Sequence, residues 1–462
     1  MSSLLGCPGE RPPPGGGPLP VTAFTAEYAP DEGGQCGGPL REVAGYAPNT
    51  PGERYPLLIF TTGTWATFND RNTLAMMREV AEAGFVAVTA GYDNNFLLGC
   101  ANLRAKTHCL YDGTEPNSAV SVLCARPDVD CDLGIFVAGL SQGSQVASYA
   151  RNWNHHIRAV YGLGVTSDYF FNLGAGDNPG LSNPGGAADD QCLHDSRTAI
   201  SSERVRYVNG LNEVCYSTSA QPCGLFGSQG ELQRMSGNAC ATEAMSCLRE
   251  NGSGWFIIPN SDVQDGDADH VYVTYGEGLD VGFVAPANHP WSLGTNVRWL
   301  LGFAAPGGGL PVRIDAGALT ASDGAFSKDS DFAGTGLSIE STSTTIDTVA
   351  PNAASPRVYQ TARTTSGDAL SYVIGGLLPN AAYLARLHFA ELTQDTIGAR
   401  QFHIDIQGAR RETNLDVRAV SGARFRALVR DHAFVADAEG RLTLSLTRGG
   451  AGNPMVSGIE VM

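Results

Sequence analysis

The sequence predicts two units in tandem: a mostly parallel, doubly wound α/β sheet, then an all-β jelly-roll-like sandwich. Three observations predict this. Through the first 300 residues, strand-like apolar runs alternate with helix-like amphipathic ones, the pattern of parallel strands joined by helical crossovers. After Pro311 the helical periodicity stops, and short alternating strands with Gly, Asn and Asp turns take over, as in an antiparallel sandwich. At 462 residues the chain is also too long for one ordinary core.

Residues 1–20 are a Pro/Gly-rich linker that cannot bury a core. Ahead of it, Leu4-Leu5-Gly6-Cys7 has the form of the end of a lipoprotein signal, which makes Cys7 a candidate lipid anchor. The α/β unit is expected over residues 21–305. "YPLLIFTTGT" (55–64) reads as a buried strand ending in a glycine turn, and "NTLAMMREVAEAGFVAVTAGY" as helix, glycine stop and strand. "LGIFVAG" reads as a strand and "QGSQVASYARNW" as a helix. "HIRAVYGLGV", "RVRYVNG" and "GWFIIP" read as further strands, and "WSLGTNVRWLLGF" as a closing helix. Residues 306–311, within "FAAPGGGLP", read as a flexible boundary, so the sandwich (312–462) is expected to be separable. Its strands include "AAYLARLHFAEL", "RQFHIDIQG" and "RLTLSLTRGG".

Composition excludes several function classes. No run approaches eighteen apolar residues, so no transmembrane helix is expected. The formal charge of −17 belongs almost wholly to the α/β unit, since from residue 310 onward 14 basic side chains face 16 acidic ones. Such a surface repels phosphate backbones, which excludes nucleic acid as a partner. There is no dinucleotide fingerprint, P-loop or metal motif, and "DVQDGDADH" lacks the rest of a calcium loop. No cofactor or metal is expected. All eleven cysteines occur by Cys247. Without Cys7, ten remain with no CxxC spacing, which reads as five disulfides made in an oxidising, secreted or cell-surface setting.

The chemistry centres on Gly139-Leu140-Ser141-Gln142-Gly143. The pentad falls between an apolar strand and a helix, where a serine nucleophile must sit on a tight turn with small residues two before and two after it. A serine hydroxyl needs a histidine base oriented by a carboxylate, and on this topology the chain order is Ser, acid, His. Glu213, on the loop after "RVRYVNG", is the candidate acid. His270, after "GWFIIP", is the candidate base, with His289 as the rival; Asp267 and Asp269 beside His270 would raise its basicity. Oxyanion donors are expected from the backbone N–H of Gln142 and of Thr64, with Trp65 as the alternative to Thr64 or as a wall of the substrate pocket.

With this pentad and strand order, residues 21–305 resemble the α/β-hydrolase family. The resemblance implies an eight-stranded sheet, a Ser-Glu/Asp-His triad and hydrolysis of an ester-like bond. One departure is Thr62-Gly63, where the family often has His-Gly. The remainder resembles malectin and malectin-like carbohydrate-binding modules through "VRIDAGA", "SPRVYQTAR", "LSYVIGGLLPNAAYLARLHFAEL", "RQFHIDIQG", "NLDV" and "VSGIEV". That resemblance implies sugar binding in a loop cleft, with Tyr359 and Arg363 matching motif positions. Leu392-Thr393-Gln394 replaces the aromatics that follow the family's "FAE", and Gly452-Asn453-Pro454 its Asp-Asn-Pro turn. The expectation is an extracellular serine esterase of the bacterial envelope, cleaving acyl or aromatic esters of polysaccharide and carrying a carbohydrate-binding-type module. A polyester depolymerase of the polyhydroxyalkanoate type and a non-catalytic surface adhesin are the alternatives.

Overall fold

The computed structural model of the chain describes residues 18–95, 97, 99–165, 192–193, 197–213, 224–241, 244–263, 266–270, 293–304, 309–321 and 324–462. Cys7, Cys215, Cys223 and His289 lie outside these residues.

The first unit is built on a nine-stranded mixed sheet. Its strands are β1 (Val21–Tyr28), β4 (Arg41–Pro48), β5 (Leu57–Thr61), β6 (Val86–Ala90), β7 (Ile135–Leu140), β8 (Ile157–Leu163), β9 (Val205–Gly210), β10 (Ser246–Leu248) and β11 (Gly254–Ile258). The two-residue strands β2 (Asp31–Glu32) and β3 (Gln35–Cys36) form a separate hairpin. The order across the sheet is β1-β4-β6-β5-β7-β8-β9-β11-β10. Pairing is parallel from β6 through β5, β7, β8 and β9 to β11. It is antiparallel at both margins. Strands β5, β6, β7 and β8 are buried along their whole length, which is why they read as continuous apolar runs and not as alternating ones. Alternate residues serve opposite faces: Leu57 and Ile59 join the core on one side, Leu58 and Phe60 the core on the other.

Helices cover both faces. Helix α1 (Arg71–Glu82) starts at Asp70, whose carboxylate accepts from the N–H groups of Asn72 and Thr73. Helices α2 (Gly99–Tyr111), α3 (Ala119–Cys124) and α4 (Gln142–Tyr149) follow. Helix α2 is stapled on both sides, by Cys36–Cys109 and Cys100–Cys192. Cys124–Cys131 and Cys240–Cys247 close short loops. Eight of the ten cysteines are thereby paired, as a chain folded in an oxidising compartment requires.

The second unit is a sandwich. A five-stranded sheet runs in the order Phe332–Gly334, Ala369–Ile374, Leu442–Ala451, Gln401–Ile406, Ala409–Leu415. A four-stranded sheet runs Val312–Asp315, Gly458–Val461, Ala382–Ala390, Ala427–Val435. Leu442, Leu444 and Leu446 point inward, as do Phe402, Ile404 and Ile406, and pack with Leu387 and Phe389.

Of the expected linker, residues 306–308 lie outside the described residues; around residues 309–311 the two units are in direct contact. The Lys328 ammonium is buried against the Asp112 carboxylate and donates to Thr114 Oγ1 at 2.8 Å. The Lys328 N–H donates to Asn152 O at 2.8 Å. Arg151 donates to the carbonyls of Gly309 and Pro311, each at 2.9 Å, and Arg204 to that of Leu310. His155 Nε2 lies 3.2 Å from the Asp331 carboxylate. Of the glycines in this stretch Gly309 is described, and its carbonyl is captured by the buried Arg151.

Candidate active site

The turn after β7 places Ser141. Its φ of 54° and ψ of −123° lie where a non-glycine residue is rare. Its N–H donates to Leu163 O at 2.8 Å, and its carbonyl accepts from Ser144 Oγ at 2.6 Å, which fixes the turn. Both flanking glycines are obligatory by contact. A Cβ on Gly139 would stand 2.1 Å from Gly143 O, and one on Gly143 2.0 Å from Thr61 O. The hydroxyl is thereby held at the carboxyl end of a central strand, just before helix α4.

The structure brings Ser141, His270 and Glu213 together. Ser141 Oγ is 2.9 Å from His270 Nε2, and His270 Nδ1 is 2.5 Å from Glu213 Oε1. The carboxylate can hold a proton on Nδ1 and so leave the Nε2 lone pair facing the serine. Glu213 is 2% exposed, so little solvent screens its charge. Burial alone would lower the His270 pKa. The Glu213 carboxylate, through its charge and its hydrogen bond, and then Asp269 raise it above the ordinary imidazole value instead.

The loops carrying acid and base are joined. Asn212 and Asp269 form a parallel bridge, Asn212 N–H donates to Ala268 O at 3.0 Å, and Asn212 Nδ2 to Asp267 Oδ1 at 2.7 Å. Gly210 permits that approach, since a Cβ there would stand 1.9 Å from Ala268 O. Asp267 thus serves the loop, while Asp269 adds charge near the imidazole.

On the other side of Ser141 is the segment after β5. A Cβ on Gly63 would stand 3.0 Å from the Ser141 Cβ, a tight contact that favours glycine where this backbone passes the serine. The Trp65 N–H is spent on Asn94 O at 3.1 Å, which leaves Thr64 rather than Trp65 as the candidate second donor beside Gln142. Sequence reasoning missed the bracing of this segment. Asn94 Nδ2 donates to Gly63 O and Ala66 O, Tyr92 Oη to Thr62 O, and Gln142 Nε2 to Thr64 Oγ1 and Asn95 O, all at 2.7–2.9 Å. The polar run "YDNN", one glycine after the fully buried strand β6, was the available signal.

Tyr359 and Arg363, the expected sugar-binding residues, are both buried within the sandwich. Tyr359 is fully buried, with its hydroxyl 2.7 Å from His388 Nδ1, and Arg363 makes an ion pair with Asp329 at 2.7 Å beneath the Phe332 ring. Both motif positions are tied into the interior of the sandwich by these contacts.

The malectin domain family model matches residues 310–459. No curated protein matches the chain. Similar solved structures include the ANX2 ectodomain of Arabidopsis thaliana, at 20% identity over 32% of this chain and 48% of that one, with a TM-score of 0.29. The ANXUR1 extracellular domain of the same plant has 21% identity over 32% and 47%, with a TM-score of 0.28. A Bacteroides uniformis β-glucuronidase has 21% identity over 33% and 18%, with a TM-score of 0.27. The matched part spans about half the length of the plant ectodomains. The sandwich, residues 310–459, is a malectin domain.

Proposed function

We propose that the chain is an extracellular serine hydrolase of the α/β-hydrolase type, cleaving carboxylic esters carried on polysaccharide, with the malectin domain as an appended binding module. One observation carries this reading: the continuous relay from Ser141 Oγ through His270 to Glu213, with the serine on a strained turn. In the reaction, Ser141 Oγ attacks the ester carbonyl while His270 Nε2 takes its proton. The backbone N–H groups of Gln142 and Thr64 stabilise the oxyanion. His270 then protonates the leaving alcohol, and water releases the acyl group by the same path. Attachment to a bacterial envelope through Cys7 belongs to the same reading.

A fluorophosphonate probe followed by peptide mass spectrometry tests the nucleophile, with Ser141 as the expected adduct. A panel of acetylated xylan, feruloyl esters and polyhydroxybutyrate then identifies the ester and separates the glycan reading from the polyester one. The malectin match favours a second reading, a non-catalytic carbohydrate-binding surface protein. Absence of labelling on the intact, folded chain would select it.

A further inference from the structure

Trp65 is a bulky aromatic residue with φ of 58°, a left-handed conformation that such a residue adopts only under constraint. It is also 66% exposed, so burial does not repay the strain. The constraint is visible. The Trp65 N–H donates to Asn94 O, and Asn94 Nδ2 ties the carbonyls of Gly63 and Ala66 on either side. Segment 93–95 is itself fixed by the buried Lys106, which donates to Asp93 O at 2.6 Å and Asn95 O at 2.8 Å. A rigid frame therefore presents an indole to solvent two residues from Gly63, the backbone that touches Ser141. Strain kept at such a place is a mark of function.

Resting on the hydrolase reading, we infer that Trp65 is the stacking platform for a neutral pyranose ring beside the scissile ester. A flat, rigid indole offers an apolar face to the C–H face of a sugar ring with little loss of side-chain freedom. The same loop lines a cavity of about 210 Å³ together with Arg41, Tyr92 and Asn94. The strongly acidic surface of this unit disfavours an anionic ring.

The test uses the full chain with Ser141→Ala, so that binding is read without turnover, and measures Kd for xylotetraose, methyl ferulate and a 3-hydroxybutyrate trimer by calorimetry. Xylotetraose is expected to bind, and Trp65→Ala to weaken it at least tenfold at one site, with Trp65→Tyr retaining most of the affinity. Trp65→Gly should lose binding yet raise the urea midpoint, because glycine relieves the left-handed strain. A structural role would lower that midpoint, and this result would overturn the inference. So would an unchanged xylotetraose Kd in Trp65→Ala, or Trp65-dependent binding of the ferulate or the trimer alone. Probe labelling of Ser141 in the otherwise native chain is scored separately, so failure of the hydrolase reading and failure of the platform are distinguishable.

Discussion

Replacing Lys328 with Met keeps the aliphatic stem and removes the ammonium from the junction between the units. In the native chain the Lys328 side chain is 9% exposed and that of Asp112 is not exposed at all. Burial would raise the Asp112 pKa, but hydrogen bonding to His108 and then the charge and hydrogen bond of Lys328 bring it down to about 2. Taking away the cation strands a buried carboxylate, which costs about 3–5 kcal/mol. Asp112 would keep three contacts: Thr114 N–H at 2.9 Å, Thr114 Oγ1 at 2.7 Å and His108 Nε2 at 3.4 Å. These place the expected loss at the lower end, about 3 kcal/mol. Urea denaturation at pH 7 reads it, and adding Asp112→Asn should recover most of the loss, since a pair removed together leaves no stranded charge. A loss below about 1 kcal/mol would refute the reasoning and show that the sandwich is held by other contacts.

Further outcomes follow from the site and the junction. Ser141→Ala should lower ester kcat by at least about 10⁴-fold without shifting the denaturation midpoint, read with a soluble ester and urea. On the hydrolase reading the neutral form of His270 is the base, and its pKa is raised, so the acid limb of kcat/KM should lie above pH 6.5; Glu213→Gln should move that limb to lower pH while reducing kcat. Burial, then neighbouring charges, holds His155 and His156 down to about 3. These groups are neutral when folded, so the stability they confer is present above pH 6.5 and lost as pH falls toward 3. A falling urea midpoint from pH 7 to 4, flattened in His155→Gln, checks this. Replacing Cys36 and Cys109 by Ser should cost about 4 kcal/mol, the chain entropy of their 73-residue separation, measured in the same way.

The parts of this architecture legible in the sequence are those whose constraint is local. The Ser141 turn demands small residues at fixed offsets, and the pentad displays them. Glu213 and His270 could be selected because chain order and loop position after a strand leave few choices. What stayed hidden depends on partners far along the chain. Strands β1 and β4 flank the parallel sheet as an antiparallel margin, and their half-exposed sequences lack the apolar run that marks β5. Tyr359 and Arg363 sit at motif positions, yet motif letters do not say whether a side chain faces a cleft or a core. Lysine usage was the missed clue at the junction. The chain has only two, Lys106 and Lys328, and both are buried, each 7% exposed, where a compact ammonium meets carbonyls or a carboxylate.

Gln142 occupies a place that motif notation writes as a wildcard. Here that letter is constrained, because the residue that follows Ser141 grips, through its side chain, the hydroxyl of Thr64, 78 positions earlier. Any chain sharing this arrangement should vary the two letters together, a hydrogen-bonding side chain at one matched by a partner at the other. A search for Gly-Thr in the first segment paired with Ser-Gln-Gly in the second would therefore be more selective than the pentad alone, which a chain with 57 glycines can produce by chance. It would collect proteins by a shared way of bracing the segment after one strand against the turn at the serine.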